Sequence, residues 1–271
     1  MKKFRTLSIC VVTIFLIGLL LVILFFQRTN FKGNGYHFIQ FNSSFAAEQH
    51  SNYVIDLPYF IKSSNKDILL KDNILNIRFK NSSLTEVEKF DLKFGDKLRN
   101  YVTKTVSLTT KFIKSGKENI KYIEVTLKDG KKINFYIGNW YFEVIEKSDE
   151  KGYLDIGKSV SVMANYFTDL PMSLHNNSKY DIKIRNIKTN IPDIKVETGS
   201  VILKPGEYVD KVLKINRLNN LYDKQVFWLI RPLITYTLGE KEYNFVPPAI
   251  YYGILGLNDN RIQEELNKGD F

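Results

Sequence analysis

The chain has 271 residues, a net charge of +10 and a single cysteine, with 14% aromatic and 25% charged side chains. Five of the 39 Lys and Arg lie in the first 32 positions, where there is no acid, so the remaining body carries only +5 along its whole length. Arg is scarce beside Lys and forms no cluster interleaved with stacking aromatics, which argues against a nucleic-acid footprint and for a solvated lysine-rich surface near an anionic membrane or wall.

In chain order, residues 1–6 form a basic tip with Lys2, Lys3 and Arg5. Residues 7–26 hold no charge, and only Ser8, Thr13 and Gly18 interrupt their large apolar side chains. As a helix this run spans ~30 Å, the thickness of a bilayer's hydrocarbon core. The basic tip favours an N-terminus inside and a body outside. A cleaved signal peptide is the alternative. It fits less well, because its apolar region is usually shorter and the first tolerable cleavage site, Ser44-Phe45-Ala46, lies far beyond the run. Cys10 sits near the start of the run, not just after it, which argues against a lipoprotein. Residues 27–47 read as a juxtamembrane spacer, with Gly33-Asn34-Gly35 as a flexible element.

The body beyond them has no cysteine. Secreted animal domains of this size usually carry disulfides, so the absence, with heavy Lys, Ile and Asn usage, points to a bacterial cell surface. The three N-x-S sequons, at Asn42, Asn81 and Asn176, occur at the frequency expected by chance and carry no weight.

Only four alanines occur, at 46, 47, 164 and 249. Poverty in the best helix former and abundance of Ile, Val, Tyr and Phe bias the chain to sheet. Strands are expected over 53–61, 73–80, 89–94, 101–113 and 139–147. Between them Ile123, Val125 and Leu127, then Ile133, Phe135 and Ile137, alternate with polar residues on either side of Asp129-Gly130, the signature of a type I′ hairpin. Residues 148–158 read as a linker. A second strand series follows over 160–167, 172–175, 180–188, 194–196, 201–203, 208–215, 225–237 and 242–246, with a Pro205-Gly206 turn between strands.

Turn signals every 8–12 residues, twice over ~100 residues, predict an all-β body of two tandem β-sandwiches, 48–150 and 151–257. These resemble immunoglobulin-like domains of bacterial surface proteins in architecture alone. The continuous apolar run Val226 to Ile230 fits a strand covered on both faces or meeting a partner. Pro247 and Pro248 mark an edge or an extended crossing segment. Residues 258–271 predict a short C-terminal helix, with Asn260 and Gln263 as a capping-box variant and Ile262 and Leu266 on one face.

Catalytic constellations are sparse. His37 and His50 fall in or beside the expected spacer, and His175 has no partner at metal-ligand spacing. The phosphate-binding, zinc-protease and serine-hydrolase motifs do not occur. The acids Asp149, Glu150 and Asp155, and Asp259 with Glu264 and Glu265, follow no calcium-loop pattern. No catalytic, cofactor-binding or metal-binding residue is assigned. Aromatics remain: Tyr136 and Tyr141 fall on outer faces if Phe135, Trp140 and Phe142 are core, and Tyr251-Tyr252 is a second cluster. These four tyrosines are the candidate partner-binding residues. The expected protein is thus a non-enzymatic, single-span accessory protein of a bacterial envelope. Its expected partners are the membrane and another envelope protein or the cell-wall glycan, with no nucleic acid. The alternatives are a carbohydrate-binding module and a carboxylate-dependent glycan hydrolase.

Overall fold

A computed structural model describes residues 35–254 except 66, 98–99, 148–151, 158–162, 165–166, 168, 193 and 218–226, together with 258, 260, 262, 263 and 266. The apolar run 7–26 and the acids Asp149, Glu150, Asp259, Glu264 and Glu265 lie outside the described residues. Among the described residues, no helix is long and apolar enough to cross a membrane.

The described chain is nearly all β. Its first part contains β1 (Tyr36–Phe38), β2 (Phe41–Glu48), β3 (Asn52–Lys62), β4 (Ile74–Phe79), β5 (Thr85–Lys97), β6 (Tyr101–Phe112), β7 (Gly116–Leu127) and β8 (Lys132–Ile145). Its second part contains β9 (Leu154–Ile156), β10 (Met163–Ala164), β11 (Asp169–Asn176), β12 (Ile182–Lys188), β13 (Ile194–Val196) and β14 (Val201–Leu203). It continues with β15 (Tyr208–Arg217), β16 (Trp228–Arg231), β17 (Leu233–Leu238), β18 (Lys241–Phe245) and β19 (Ile250–Tyr252). Four sheets result, ordered β1-β3-β6-β5, β10-β19-β16-β2-β8-β7-β4, β13-β15-β11-β9 and β14-β12-β17-β18.

The first two sheets sandwich one hydrophobic core, centred on Phe41, Phe45, Phe112, Trp140 and Phe142. A second core lies under the last two sheets and gathers Leu170, Leu174, Ile184, Leu203, Trp228 and Tyr236. The halves are nevertheless not the two separate sandwiches that the turn spacing suggests. Strands β16, β19 and β10 come from the second half of the chain, yet they extend the sheet of the first half through a parallel β16–β2 pairing.

The apolar run explains why this is stable. Phe227 and Leu229 enter the first core, whereas Trp228 and Ile230 enter the second. Successive strand residues point to opposite faces, so a strand apolar at every position can serve two cores. The expectation of a strand covered on both faces holds.

Residues 36–48 correct the expected spacer. Strand β2 is buried at its first seven positions and lies between β8 and β16, parallel to both. Its odd-numbered residues Phe41, Phe45 and Ala47 belong to the first core. Even-numbered Ser44 accepts a 2.7 Å hydrogen bond from the Asn190 backbone of the second half.

The 127–132 hairpin is present, but with a different turn. Within it only Gly130 has positive φ (87°), and the Gly130 N–H donates to Leu127 O at 2.9 Å while Leu127 N–H donates to Lys131 O at 2.8 Å. One left-handed glycine closing a three-residue loop is the G1-bulge arrangement, whereas type I′ needs two positive φ values. Gly206 (φ 72°) carries the Pro-Gly turn, which links β14 and β15 in different sheets. At the C-terminus Asn260, Ile262, Gln263 and Leu266 are helical. Ile262 is fully buried against Phe60 and Tyr101, with Leu266 beside it, so the expected common face of Ile262 and Leu266 is observed.

Candidate functional site

The four tyrosines singled out by sequence separate into two pairs. Tyr251 and Tyr252 point inward from β19, between β10 and β16. Tyr252 is wholly buried, and its hydroxyl donates to Asp169 O at 3.0 Å. The Tyr251 hydroxyl accepts from the Asp56 N–H at 3.2 Å, and the ring packs edge-on against Phe41. Burial raises both hydroxyl pKa values. Tyr252 therefore has no surface to offer a partner, and Tyr251 is a bolt between the halves.

Tyr136 and Tyr141 do sit outside the first core, on the far face of β8, while Phe135, Trp140 and Phe142 are buried. Five residues apart, two positions on a regular strand would face opposite ways. The ladder breaks between the Tyr122–Tyr136 and Ile120–Trp140 pairs, where β8 holds extra residues, and this returns Tyr141 to the face of Tyr136. Gly138 makes the break possible. Its φ is 92°, and a Cβ there would lie 2.1 Å from the Phe41 carbonyl oxygen.

A third tyrosine completes the row. Tyr122 of β7 packs against Tyr136 with ring centroids 5.3 Å apart, and the Lys80 ammonium lies 5.8 Å over the Tyr122 ring. Burial, then the neighbouring Tyr122 and Tyr141, raise the Tyr136 pKa. Burial likewise raises Tyr141, opposed by a hydrogen bond from the Asn119 side chain. The hydroxyls are therefore neutral at physiological pH, able both to donate and to accept.

Polar groups border this row. Glu124 is buried and accepts from Arg78 Nε at 3.0 Å, with Lys132 Nζ at 3.7 Å. Across the ladder from Glu124, Asn134 presents a buried amide oxygen with no partner among the described residues. Arg78 also lines a groove of about 310 Å³ between β4 and β5, with Asn76, Asn81, Ser82, Thr85 and Glu86. At its other end the row meets the second half, because Tyr141 packs on the second core.

The junction there is polar as well. Glu143 receives Lys188 of β12 and Lys117 of β7, each at 3.0 Å. Burial alone would raise the Glu143 pKa, and the two lysines outweigh it, holding the carboxyl below its ordinary value. Arg231 of β16 donates to Ala46 O (3.1 Å) and Pro247 O (3.0 Å) and lies 4.3 Å from the Tyr53 ring centroid. Burial pushes its guanidinium down to about 10, still charged at neutral pH.

The remaining sequence candidates have structural surroundings. His175 stacks on Tyr208 at 3.9 Å, His37 stacks on Phe60 at 5.3 Å, and His50 occupies a turn with φ 65°. Asp155 is exposed, and its side chain accepts the Ile156 N–H at 2.7 Å. Asn42 and Asn176 of the sequons are buried. Among the described residues no group of three or more His, Cys, Asp or Glu could hold a metal ion.

No family model and no curated protein matches the chain. Among solved structures it is similar to a protein of unknown function from Porphyromonas gingivalis W83 (10% identity, 80% of this chain and 99% of that one, TM-score 0.25). It is also similar to DIP-gamma IG1+IG2 (12% identity, 80% and 93%, TM-score 0.21). A third is the Bacteroides ovatus mixed-linkage glucan utilization locus protein SGBP-B in complex with a heptasaccharide (9% identity, 78% and 44%, TM-score 0.23). Scores this low carry no argument about activity. They leave the chain, on its own strands, as a nearly all-β protein with two cores joined through one shared sheet.

Proposed function

We propose that the chain is a non-enzymatic accessory protein of a bacterial cell envelope, anchored by residues 7–26 with its immunoglobulin-like β body outside, that binds another envelope component through the Tyr122–Tyr136–Tyr141 row. The row is the observation that carries this reading. Three half-buried tyrosines lie on one sheet face beside an amide oxygen with no partner among the described residues and an Arg–Glu pair. Tyrosine combines an apolar ring with a polar tip and concentrates binding energy at interfaces. A protein loop or a glycan chain offers the matching mixture of apolar faces and hydroxyl or amide groups.

Partner recovery from crosslinked envelopes tests this. Tyr136→Ala should weaken recovery on the order of tenfold or more, as truncation of an aromatic anchor does. Circular dichroism should stay sheet-dominated, showing the variant folded. Undiminished recovery from a folded Tyr122/Tyr136 double alanine variant would remove the row from the proposal. The anchor is tested separately, because apolar contact with lipid tails is insensitive to salt. The protein should leave membranes with detergent and not with high salt, and a soluble product that lacks residues 7–26 but keeps β1 and β2 would replace the anchor by a cleaved signal peptide.

A further inference from the structure

We propose that the end of the first sandwich from which the N-terminal segment departs is a docking surface for anionic lipid headgroups; this rests on the anchor reading above. Strand registers fix which residues share that end. Tyr36 pairs with Ile61, Lys62 with Tyr101 and Lys97 with Val102. In the facing sheet Phe135 lies 5.8 Å from Tyr36, which brings the 127–132 hairpin to the same end. The loop before β4 joins it there, since Lys128 N–H donates to Asn73 O at 2.8 Å.

The surface so assembled is basic. Lys62, Lys71, Lys97, Lys128, Lys131 and Lys132 are all exposed on it, against Asp72, Asp96 and Asp129. Lys71 and Lys132 are engaged by Asp91 and Glu124, whereas Lys62, Lys97, Lys128 and Lys131 have no ion pair among the described residues. Leu70 and Leu75 stand among them, 42% and 63% exposed. The opposite end of the sandwich is mixed in sign, with Glu48, Glu118 and Glu146 beside Lys114 and Lys117. Lysines around exposed leucines are the pattern of a peripheral membrane surface, attracted by headgroup charge and held by shallow apolar insertion.

Chain length supplies the second argument. Nine residues separate Phe26 from Tyr36, and at ~3.5 Å each they reach no further than about 32 Å. The tether therefore holds Tyr36 within about 32 Å of the bilayer, and the lysine end is the one it draws in. The charged groups face the lipid within a Debye length only when this end is down.

The full chain, with Cys10→Ser and one fluorophore at Ser63→Cys or at Lys114→Cys, is placed in phosphatidylcholine bilayers with or without phosphatidylglycerol and with a headgroup-attached quencher. The Ser63 label should be quenched far more than the Lys114 label in anionic bilayers. High salt should abolish the difference, and each of Lys62, Lys128 and Lys131 changed to Glu should lower the docked population about fivefold or more. The salt titration needs no charge variant, so misfolding cannot imitate it. Equal quenching at the two positions, or the same difference in phosphatidylcholine alone, overturns the docking surface while detergent-only extraction leaves the anchor standing. Extraction by salt alone overturns both.

Discussion

At the scale of single residues, neighbouring serines of β2 have opposite consequences. Ser43 is fully buried with a hydroxyl that has no partner among the described residues, whereas Ser44 Oγ accepts the Asn190 N–H. A buried polar group without a partner costs about 1–3 kcal/mol, and losing one partner of a buried bond costs a similar amount. Ser43→Ala should therefore raise the denaturant midpoint, while Ser44→Ala should lower it by the equivalent of about 1–2 kcal/mol. Equilibrium unfolding of the two variants side by side decides this, and equal shifts would show that the Ser44 bond contributes nothing. Glu143 adds a pH dependence. Its folded pKa lies below the unfolded value of 4.5 because Lys188 and Lys117 outweigh the effect of burial. Its contribution is thus fully present above pH 4.5 and is lost as pH falls through the depressed folded value. Glu143→Gln should be less stable at neutral pH and flatten the acid limb of the stability curve, measured by unfolding between pH 3 and pH 7.

At the scale of elements, β16 is the piece whose loss reaches furthest, because its alternate residues belong to different cores. Trp228 is 1% exposed and packs on Phe167 at 4.8 Å, and truncating such a side chain to alanine costs ~3–5 kcal/mol. Trp228→Ala should lower amide protection in the second half and also in β2 and β8, which pair onward from β16. Hydrogen exchange confined to the second half would show that the shared sheet does not couple them. Strands β8 and β19 explain how the tyrosine candidates divided. Alternation along β8 places Tyr136 outside the core from sequence alone, and Tyr122 follows once the hairpin register is known. Tyr251 and Tyr252 could not be placed by alternation. Adjacent residues necessarily face opposite ways, and both faces of β19 prove to be covered.

At the scale of the molecule, β1 and β2 are part of the body. A chain starting at residue 49 would lack β1 and β2, leaving β8 and β16 without their common neighbour and the first core without Phe41 and Phe45. It should be insoluble or molten, whereas a chain starting at residue 35 should show a cooperative transition by circular dichroism; equal stability of the two would contradict the central role of β2. Local sequence determined the all-β class, most strand positions and the two-faced character of 227–230, because β propensity and side-chain alternation act over a few neighbouring residues. It also determined that Ile262 and Leu266 would share one face of the C-terminal helix. Tertiary structure alone decided that 36–48 is core and that the halves share a sheet. Strand β2 is parallel to both its neighbours, and its partners lie some 100 and 190 residues away. Parallel pairing between distant strands leaves no turn signal between them, and a strand buried on both faces shows no alternation to mark it.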